Sequence, residues 1–256
     1  MLKDYQIFQT IDLVKDTIER IRTFEPDDGY YLAFSGGKDS IVIKHLAERA
    51  GVEFDAHYNV TTIDPPELVW FIKKYHSDVI FEHPDKPFLV SLVNNGFPQR
   101  QRRWCCREYK EGGGSGRMVM TGIRRAESYS RSGRKMVETC YKDTTKRYMN
   151  PIIDWKDEDI WEYINKNNIP YCKLYDEGYK RLGCLFCPME SNKMRIKETS
   201  KYPKYTKLFI KYFEKLYKDR KERGLKSVDR WKDGEEMFWW WIKEPKSKND
   251  KQEQIF

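Results

Sequence analysis

Short apolar strands alternate with amphipathic helices through the first two thirds of the chain, and this alternation constrains the fold more than any other feature. The predicted strands cover residues 30–34, 53–60, 78–82 and 117–123. The predicted helices cover residues 4–24, 41–50, 65–76, 86–95 and 155–167, the last with Asp154 as its cap. Strands that alternate with helices predict an α/β fold with a doubly wound, mostly parallel sheet.

The strand pattern ends near residue 190, and only helices are predicted after it. We therefore expect an α/β domain over residues 1–189 and a helical C-terminal extension over residues 190–256, with a frayed polar stretch at 246–254. The longest strongly apolar run, residues 237–242, is too short to cross a bilayer. No secretory leader pattern opens the sequence. We expect a soluble, cytoplasmic protein without a membrane partner.

Positive charge is concentrated in the predicted extension. Residues 191–226 hold 13 Lys or Arg and 4 Asp or Glu, a net of +9, whereas the whole chain carries +8. Spacings of three and four residues place five lysines on one face of a helix, namely Lys204, Lys207, Lys211, Lys215 and Lys218. A second stripe, expected to dock on the body, contains Tyr205, Leu208, Phe209, Tyr212 and Leu216. The lysines indicate either a DNA or RNA surface or an ordinary solvated face.

A glycine-rich hexapeptide lies between the first predicted strand of the sheet and the helix that follows it. Its sequence is Ser35-Gly36-Gly37-Lys38-Asp39-Ser40, hereafter the 35–40 loop. Backbone N–H groups of such a turn, a helix N-terminus and a lysine together form an anion site. The spacing differs from that of a Walker P-loop, and the alternative interpretation is a capped tight turn.

Four of the six cysteines form two close pairs, Cys105 with Cys106 and Cys184 with Cys187. Four thiolates can hold either a zinc ion or an iron–sulfur cluster. Adjacent cysteines suit a large cubane better than one tetrahedral zinc, and uncoordinated thiols are the third possibility. Cys140 and Cys172 have no partner at ligand spacing, so we interpret them as small apolar residues.

The 35–40 loop is similar to the signature of the PP-loop ATP pyrophosphatases, which are adenine-nucleotide α-hydrolase folds. Together with the cysteines, the chain resembles the phosphoadenylyl-sulfate and adenylyl-sulfate reductase family. The resemblance spans roughly residues 30–190 and includes TTIDPPE at 61–67, CCR at 105–107, TGIRRAES at 121–128, NPIIDW at 150–155, YDEGY at 175–179 and GCLFC at 183–187.

This resemblance implies roles for individual residues. The nucleotide, ATP or adenylyl sulfate, would contact the 35–40 loop, Gly122, Arg124 and Arg125. Lys38, Asp39, Arg124 and Arg125 would act in catalysis, with Asp39 as a candidate Mg²⁺ ligand. Cys105, Cys106, Cys184 and Cys187 would hold a 4Fe–4S cluster, as in the adenylyl-sulfate type, with zinc as the alternative.

One departure from the family changes the expected reaction. Its reductases use a nucleophilic cysteine near the C-terminus, and the 69 residues after Cys187 contain none. We therefore favour ATP activation of a substrate, with AMP and pyrophosphate released, for sulfur transfer. A cysteine desulfurase or other sulfur donor would be a partner, and DNA or RNA a candidate substrate. The alternatives are a reductase that uses Cys140 or Cys172, and a non-catalytic nucleotide-sensing or nucleic-acid-binding module.

Overall fold

The computed structural model describes residues 3–6 and 9–243. The strands are β1 Lys3–Gln6, β2 Gln9–Asp12, β3 Tyr30–Ala33, β4 Phe54–Asn59, β5 Ile80–Glu82, β6 Met118–Met120, β7 Val137–Thr139 and β8 Arg147–Met149. The helices are α1 Leu13–Thr23, α2 Lys38–Ala50, α3 Pro66–Tyr75, α4 Phe88–Asn95, α5 Trp104–Tyr109, α6 Tyr129–Ser132, α7 Asp157–Lys166, α8 Asn192–Lys201, α9 Pro203–Glu222 and α10 Gly234–Lys243.

Six strands form the main sheet, in the order β5-β4-β3-β6-β8-β7. All neighbouring pairs are parallel except β7 and β8, which are antiparallel. From β3 the chain adds β4 and β5 on one side, then returns to add β6 and β8 on the other. This confirms the predicted α/β fold with a doubly wound, mostly parallel sheet.

The N-terminal helix is shorter than predicted. Residues 3–6 and 9–12 pair as an antiparallel hairpin, so the helix expected over residues 4–24 is wrong in its first half. The helix begins at Leu13, where the Asp12 carboxylate accepts hydrogen bonds from the N–H groups of Val14 and Lys15, both at 3.1 Å. An N-terminal cap of this kind stops the helix from extending backwards.

Asp154 does not cap α7, contrary to the sequence prediction. The helix begins at Asp157, and the N–H of Lys156 donates to the Asp159 carboxylate at 2.8 Å. The Asp154 carboxylate instead pairs with the guanidinium groups of Arg20 and Arg125. The prediction also missed the β7–β8 hairpin, whose strands contain only three residues each.

Two hydrophobic clusters form the core. The first lies between the main sheet and its helices, and the second is rich in aromatic side chains from residues 63–109 and 185–242. The helices predicted after residue 190 are confirmed; α9 and α10 contribute to the second cluster, whereas Met194 of α8 packs against the first. The domain boundary at residue 190 stays a prediction, and the polar stretch at 246–254 lies outside the described residues.

The docked face of α9 differs from the predicted stripe in one position. Phe209 and Leu216 are buried as expected, but Leu208 is 40% exposed and Phe213 is buried instead. Trp241, which lies in the apolar run at residues 237–242, is 1% exposed. Among residues 3–6 and 9–243, no helix combines the length and hydrophobicity that crossing a bilayer requires.

Candidate functional site

The candidate nucleotide site lies where the strand order reverses. The 35–40 loop follows β3, and residues 121–125 follow β6, its parallel neighbour. Both segments therefore leave the sheet at its carboxyl edge. Open α/β sheets bind ligands in the crevice at this reversal point.

Backbone conformation and hydrogen bonds fix the 35–40 loop. Gly36 has φ +69°, and a Cβ there would lie 2.7 Å from Leu68 Cδ1, so only glycine fits. The Ser40 hydroxyl donates to the Gly37 carbonyl at 2.9 Å and accepts from the Ser35 N–H at 3.2 Å. Since α2 begins at Lys38, the positive end of its dipole faces the loop.

Four charged side chains form a network beside the loop. Lys38 Nζ lies 3.1 Å from Asp39 Oδ2 and 2.8 Å from Asp157 Oδ1. Arg124 is 2% exposed, and its Nε and Nη2 lie 2.7 Å from Asp39 Oδ1 and 2.9 Å from Asp157 Oδ1. Burial raises the pKa of Asp157, but Lys38 and Arg124 outweigh it and hold that pKa below its usual value. The two cations and two carboxylates balance in charge, and Arg124 Nε also lies 3.9 Å from Glu127 Oε1.

Gly122 sets the spacing between β6 and the start of α2. A Cβ on Gly122 would lie 2.9 Å from Asp39 Cβ and 3.0 Å from the Asp39 carbonyl carbon. Gly122 thus positions Asp39 by close backbone approach. Arg125 lies outside the network: it is 44% exposed, pairs with Asp154 and donates from Nε to the Arg134 carbonyl at 3.1 Å.

Tyr175 and Asp157 are functional candidates that the sequence reasoning missed. The Tyr175 hydroxyl accepts the Lys38 N–H at 2.8 Å, and its ring packs edge-on against Trp161 at 5.1 Å between centroids. It therefore covers the first backbone donor of α2. Tyr175 belongs to the YDEGY match, which was an available signal. Asp157 gave no signal, because acidic residues are ordinary in the first turn of a helix.

The four cysteines predicted as ligands lie in one region. Cys105 and Cys106 are on α5, and Cys184 and Cys187 are in the segment before α8. A hydrogen bond with Cys106 raises the pKa of Cys105, and burial and the charges of Cys106, Cys184 and Cys187 raise it further. Cys105 and Cys184, one from each pair, both pack against the second hydrophobic cluster.

The segment with Cys184 and Cys187 is held from both sides. The Leu185 N–H donates to the Ile63 carbonyl at 2.9 Å, and the Phe186 N–H donates to the buried Glu198 carboxyl at 2.7 Å. Phe186 has φ +58°, an uncommon conformation for a bulky residue. Its neighbours fix this tight turn.

The cysteine set suits a cluster by its chemistry. Four thiols with a nearby cation are an iron–sulfur donor set, and the Cys184 and Cys187 charges raise the pKa of Lys110. No three His, Cys, Asp or Glu among the described residues lie close enough to share one metal ion. The 4Fe–4S cluster and zinc stay predictions.

The remaining two cysteines are buried, as predicted. Cys172 is 1% exposed within the first hydrophobic cluster, and Cys140 is 7% exposed. Cys140 follows β7, which runs antiparallel to β8, so it lies toward the amino ends of the parallel strands. The 35–40 loop is at the opposite edge of the sheet.

The fold and the loop together define a PP-loop α/β protein. The family model of the phosphoadenosine phosphosulfate reductase domain matches residues 29–190, and the chain belongs to this family. The crystal structure of phosphoadenylyl-sulfate reductase from Candida auris, a phosphate complex, has a TM-score of 0.53 at 18% identity. The superposition covers 67% of this chain and 89% of that one, and supports the fold.

Several relatives are similar in sequence. An uncharacterized protein of Methanocaldococcus jannaschii is 30% identical over 217 residues, 78% of this chain and 51% of that protein. This chain thus spans about half of that relative. A probable FAD synthase of Caenorhabditis briggsae is 26% identical over 84% of this chain and 39% of its own length. An adenosine 5'-phosphosulfate reductase of Oceanobacillus iheyensis is 39% identical over 72 residues, 27% of this chain and 28% of the reductase.

Proposed function

We propose that the chain uses ATP to adenylylate an acceptor and that sulfur then replaces the adenylated oxygen. The observation that carries this proposal is the 35–40 loop, where the backbone donors at the start of α2 lie beside Lys38, Asp39 and Arg124. The burial of two cysteines is a second, supporting observation. A sulfonucleotide reductase needs an accessible thiolate at the nucleotide. Cys140 and Cys172 are buried, and Cys140 lies toward the opposite edge of the sheet. The other four belong to the proposed cluster site.

The 35–40 loop would bind the ATP phosphates. The backbone donors at the start of α2 and the Lys38 ammonium would contact phosphate oxygens, which requires the Tyr175 hydroxyl to share or release the Lys38 N–H. Asp39 and Asp157 supply carboxylate oxygens of the kind that Mg²⁺ prefers. That ion, when bound, would neutralise phosphate charge. Arg124 would hold both carboxylates in place.

The proposed reaction has two balanced steps. An acceptor oxygen forms a bond to the α-phosphorus, the bond from this phosphorus to the bridging oxygen of the β-phosphate breaks, and pyrophosphate leaves. Hydrosulfide then attacks the acceptor atom that carries the adenylated oxygen, the bond between that atom and the oxygen breaks, and AMP leaves with the oxygen. A cysteine desulfurase would deliver the sulfur as a persulfide, and an external thiol, oxidised to a disulfide, would release it as hydrosulfide. The 4Fe–4S cluster held by Cys105, Cys106, Cys184 and Cys187 would supply iron for binding sulfur.

Product analysis on anaerobically purified protein tests the proposal. We expect AMP and pyrophosphate from ATP, and no sulfite from adenylyl sulfate with thioredoxin. Gly37→Val should reduce ATP turnover without lowering iron content, because its side chain would enter the loop where a Cβ already lies 3.3 Å from the Tyr175 hydroxyl. Sulfite formation that is lost in Cys140→Ser or Cys172→Ser would establish a reductase instead. Tight nucleotide binding without either product would indicate a non-catalytic module.

A further inference from the structure

A continuous row of cations covers the solvent side of α9. Lys204, Lys207, Lys211, Lys215 and Lys218, hereafter the lysine face, are all exposed. At a rise of 1.5 Å per residue they extend over about 21 Å. The opposite side of α9 packs Phe209, Phe213 and Leu216 into the second cluster. The helix is therefore fixed, with its lysines directed outward.

The lysine face forms no ion pair in the part of the chain that the structure describes, although Glu214 and Glu222 lie four residues from Lys218 on the same helix. There, no Asp or Glu lies within 4.0 Å of these five ammonium groups, whereas Lys221, at the end of the same helix, pairs with Asp229 at 2.7 Å. Lys215 contacts only the Tyr212 ring, at 4.7 Å from its centroid, among the contacts within those residues. Like charges three or four residues apart destabilise a helix by about 0.2–0.5 kcal/mol per pair. The lysine face therefore leaves positive charge available to an anionic partner.

The lysine face begins near the candidate nucleotide site. Immediately before α9, the Tyr202 hydroxyl donates to Glu67 Oε2 at 3.0 Å, and Lys201 Nζ lies 3.2 Å from Glu67 Oε1. Glu67 is in the first turn of α3, the helix that packs against Gly36. The residues that precede the lysine face thus contact α3, which in turn packs against the 35–40 loop.

We propose that the lysine face binds the phosphate backbone of a nucleic acid and that this nucleic acid is the acceptor of the reaction proposed above. The second half of this inference rests on the proposed function. A row of flexible point charges matches a polyanion with regularly repeated phosphates. An acidic protein partner would instead be expected to bury apolar side chains at the centre of its interface. On this side of α9 the only large apolar side chain above one-third exposure is Leu208, among the described residues.

Binding of mixed-sequence oligonucleotides to the full chain tests the surface. The stripe variant is Lys207→Glu, Lys211→Glu and Lys215→Glu. The control, with the same charge change, is Lys15→Glu, Lys73→Glu and Lys166→Glu, which are exposed on α1, α3 and α7. Five contacts give a log–log salt slope of about −4.5 for duplex DNA or −3.5 for single strands between about 50 and 200 mM salt. In the stripe variant the magnitude of this slope should fall by about 2.7 for duplex DNA or about 2.1 for single strands. The control should keep the wild-type slope.

The outcomes separate this inference from the proposed function. An unchanged slope in the stripe variant, equal loss in the control, or equally effective displacement by polyglutamate would overturn the nucleic-acid surface. Turnover of ATP alone should be the same in the wild type and both variants, because none of these lysines contacts the 35–40 loop. If ATP is not turned over by any of them, the proposed function fails while the binding result stands. If oligonucleotides stimulate ATP turnover in the wild type and not in the stripe variant, the acceptor role is supported. If they do not stimulate turnover in the wild type, the acceptor role is refuted.

Discussion

Replacing Gly122 with alanine should damage the nucleotide site through the backbone of α2. The new Cβ would lie 2.9 Å from Asp39 Cβ and 3.0 Å from its carbonyl carbon, whereas ordinary contacts begin at 3.4 Å. The first turn of α2 must therefore move by about 0.5 Å, since its backbone cannot rotate away. Overpacking of this size costs about 1–3 kcal/mol. For a chain of this length that lowers Tm by about 2–12 °C.

Gly133→Ala is the matched control. Gly133 has φ −85° and open space around the position of a Cβ, so alanine should be neutral or stabilise by up to about 1 kcal/mol. Thermal and urea unfolding measure both variants, and calorimetry with ATP measures the site. Because Asp39 moves relative to Arg124, Gly122→Ala should also bind ATP more weakly. Equal stability and ATP affinity in the two variants would refute the close-approach argument.

Three further predictions concern single side chains. Arg124→Met should lower the free energy of unfolding by about 1.5–3 kcal/mol, because Asp39 and Asp157 lose a charged hydrogen-bond donor and keep only Lys38 as a cation partner. Arg125→Met removes one partner of an exposed ion pair and should lower the free energy of unfolding by less than about 1 kcal/mol. Equal losses for the Arg124 and Arg125 variants in urea unfolding would contradict this difference. Tyr175→Phe frees the Lys38 N–H and should tighten pyrophosphate binding about 2- to 12-fold. Weaker binding by calorimetry would show that the hydroxyl contacts the anion. Burial raises the pKa of Asp55, but hydrogen bonds from Arg117 and His57 have the larger effect and hold this pKa below its usual value. Asp55→Asn should therefore reduce stability at pH 7. It should also weaken the fall in stability with decreasing pH below about pH 4. Curves of stability against pH that run parallel in the wild type and the variant would refute this assignment.

The elements that could be predicted are those whose pattern is local. β3, β4 and α3 follow their periodicity to within one residue at each end, and the loop between β3 and α2 lies where its glycines indicated. The N-terminal hairpin was missed because Ile7, Ile11 and Val14 also fit helical spacing. Which pattern prevails depends on the cap at Asp12 and on strand pairing.

The site was predictable in its residues but not in its arrangement. The motifs identified Lys38, Asp39 and Arg124 as candidate site residues. No sequence pattern indicates that Asp157 completes their network. Lys38 on α2 and Asp157 on α7 are more than a hundred residues apart in the sequence, so the ion pairs of Asp157 depend on tertiary packing. Arg125 illustrates the reverse case. It follows Arg124 directly, but the side chains point to different partners, because Arg124 is extended whereas Arg125 begins a 3-10 turn.

The pairing of β3 with β6 has a consequence for synthesis on the ribosome. Tyr31 pairs with Val119, 88 positions later in the chain. At about 5–20 residues per second, β6 emerges about 4–18 s after β3. Until then β3 has an open edge, which is a template for aberrant strand pairing. The nascent chain therefore cannot bind nucleotide during that interval, and chaperones or slow translation of residues 60–118 would affect the yield of this protein more than its final stability.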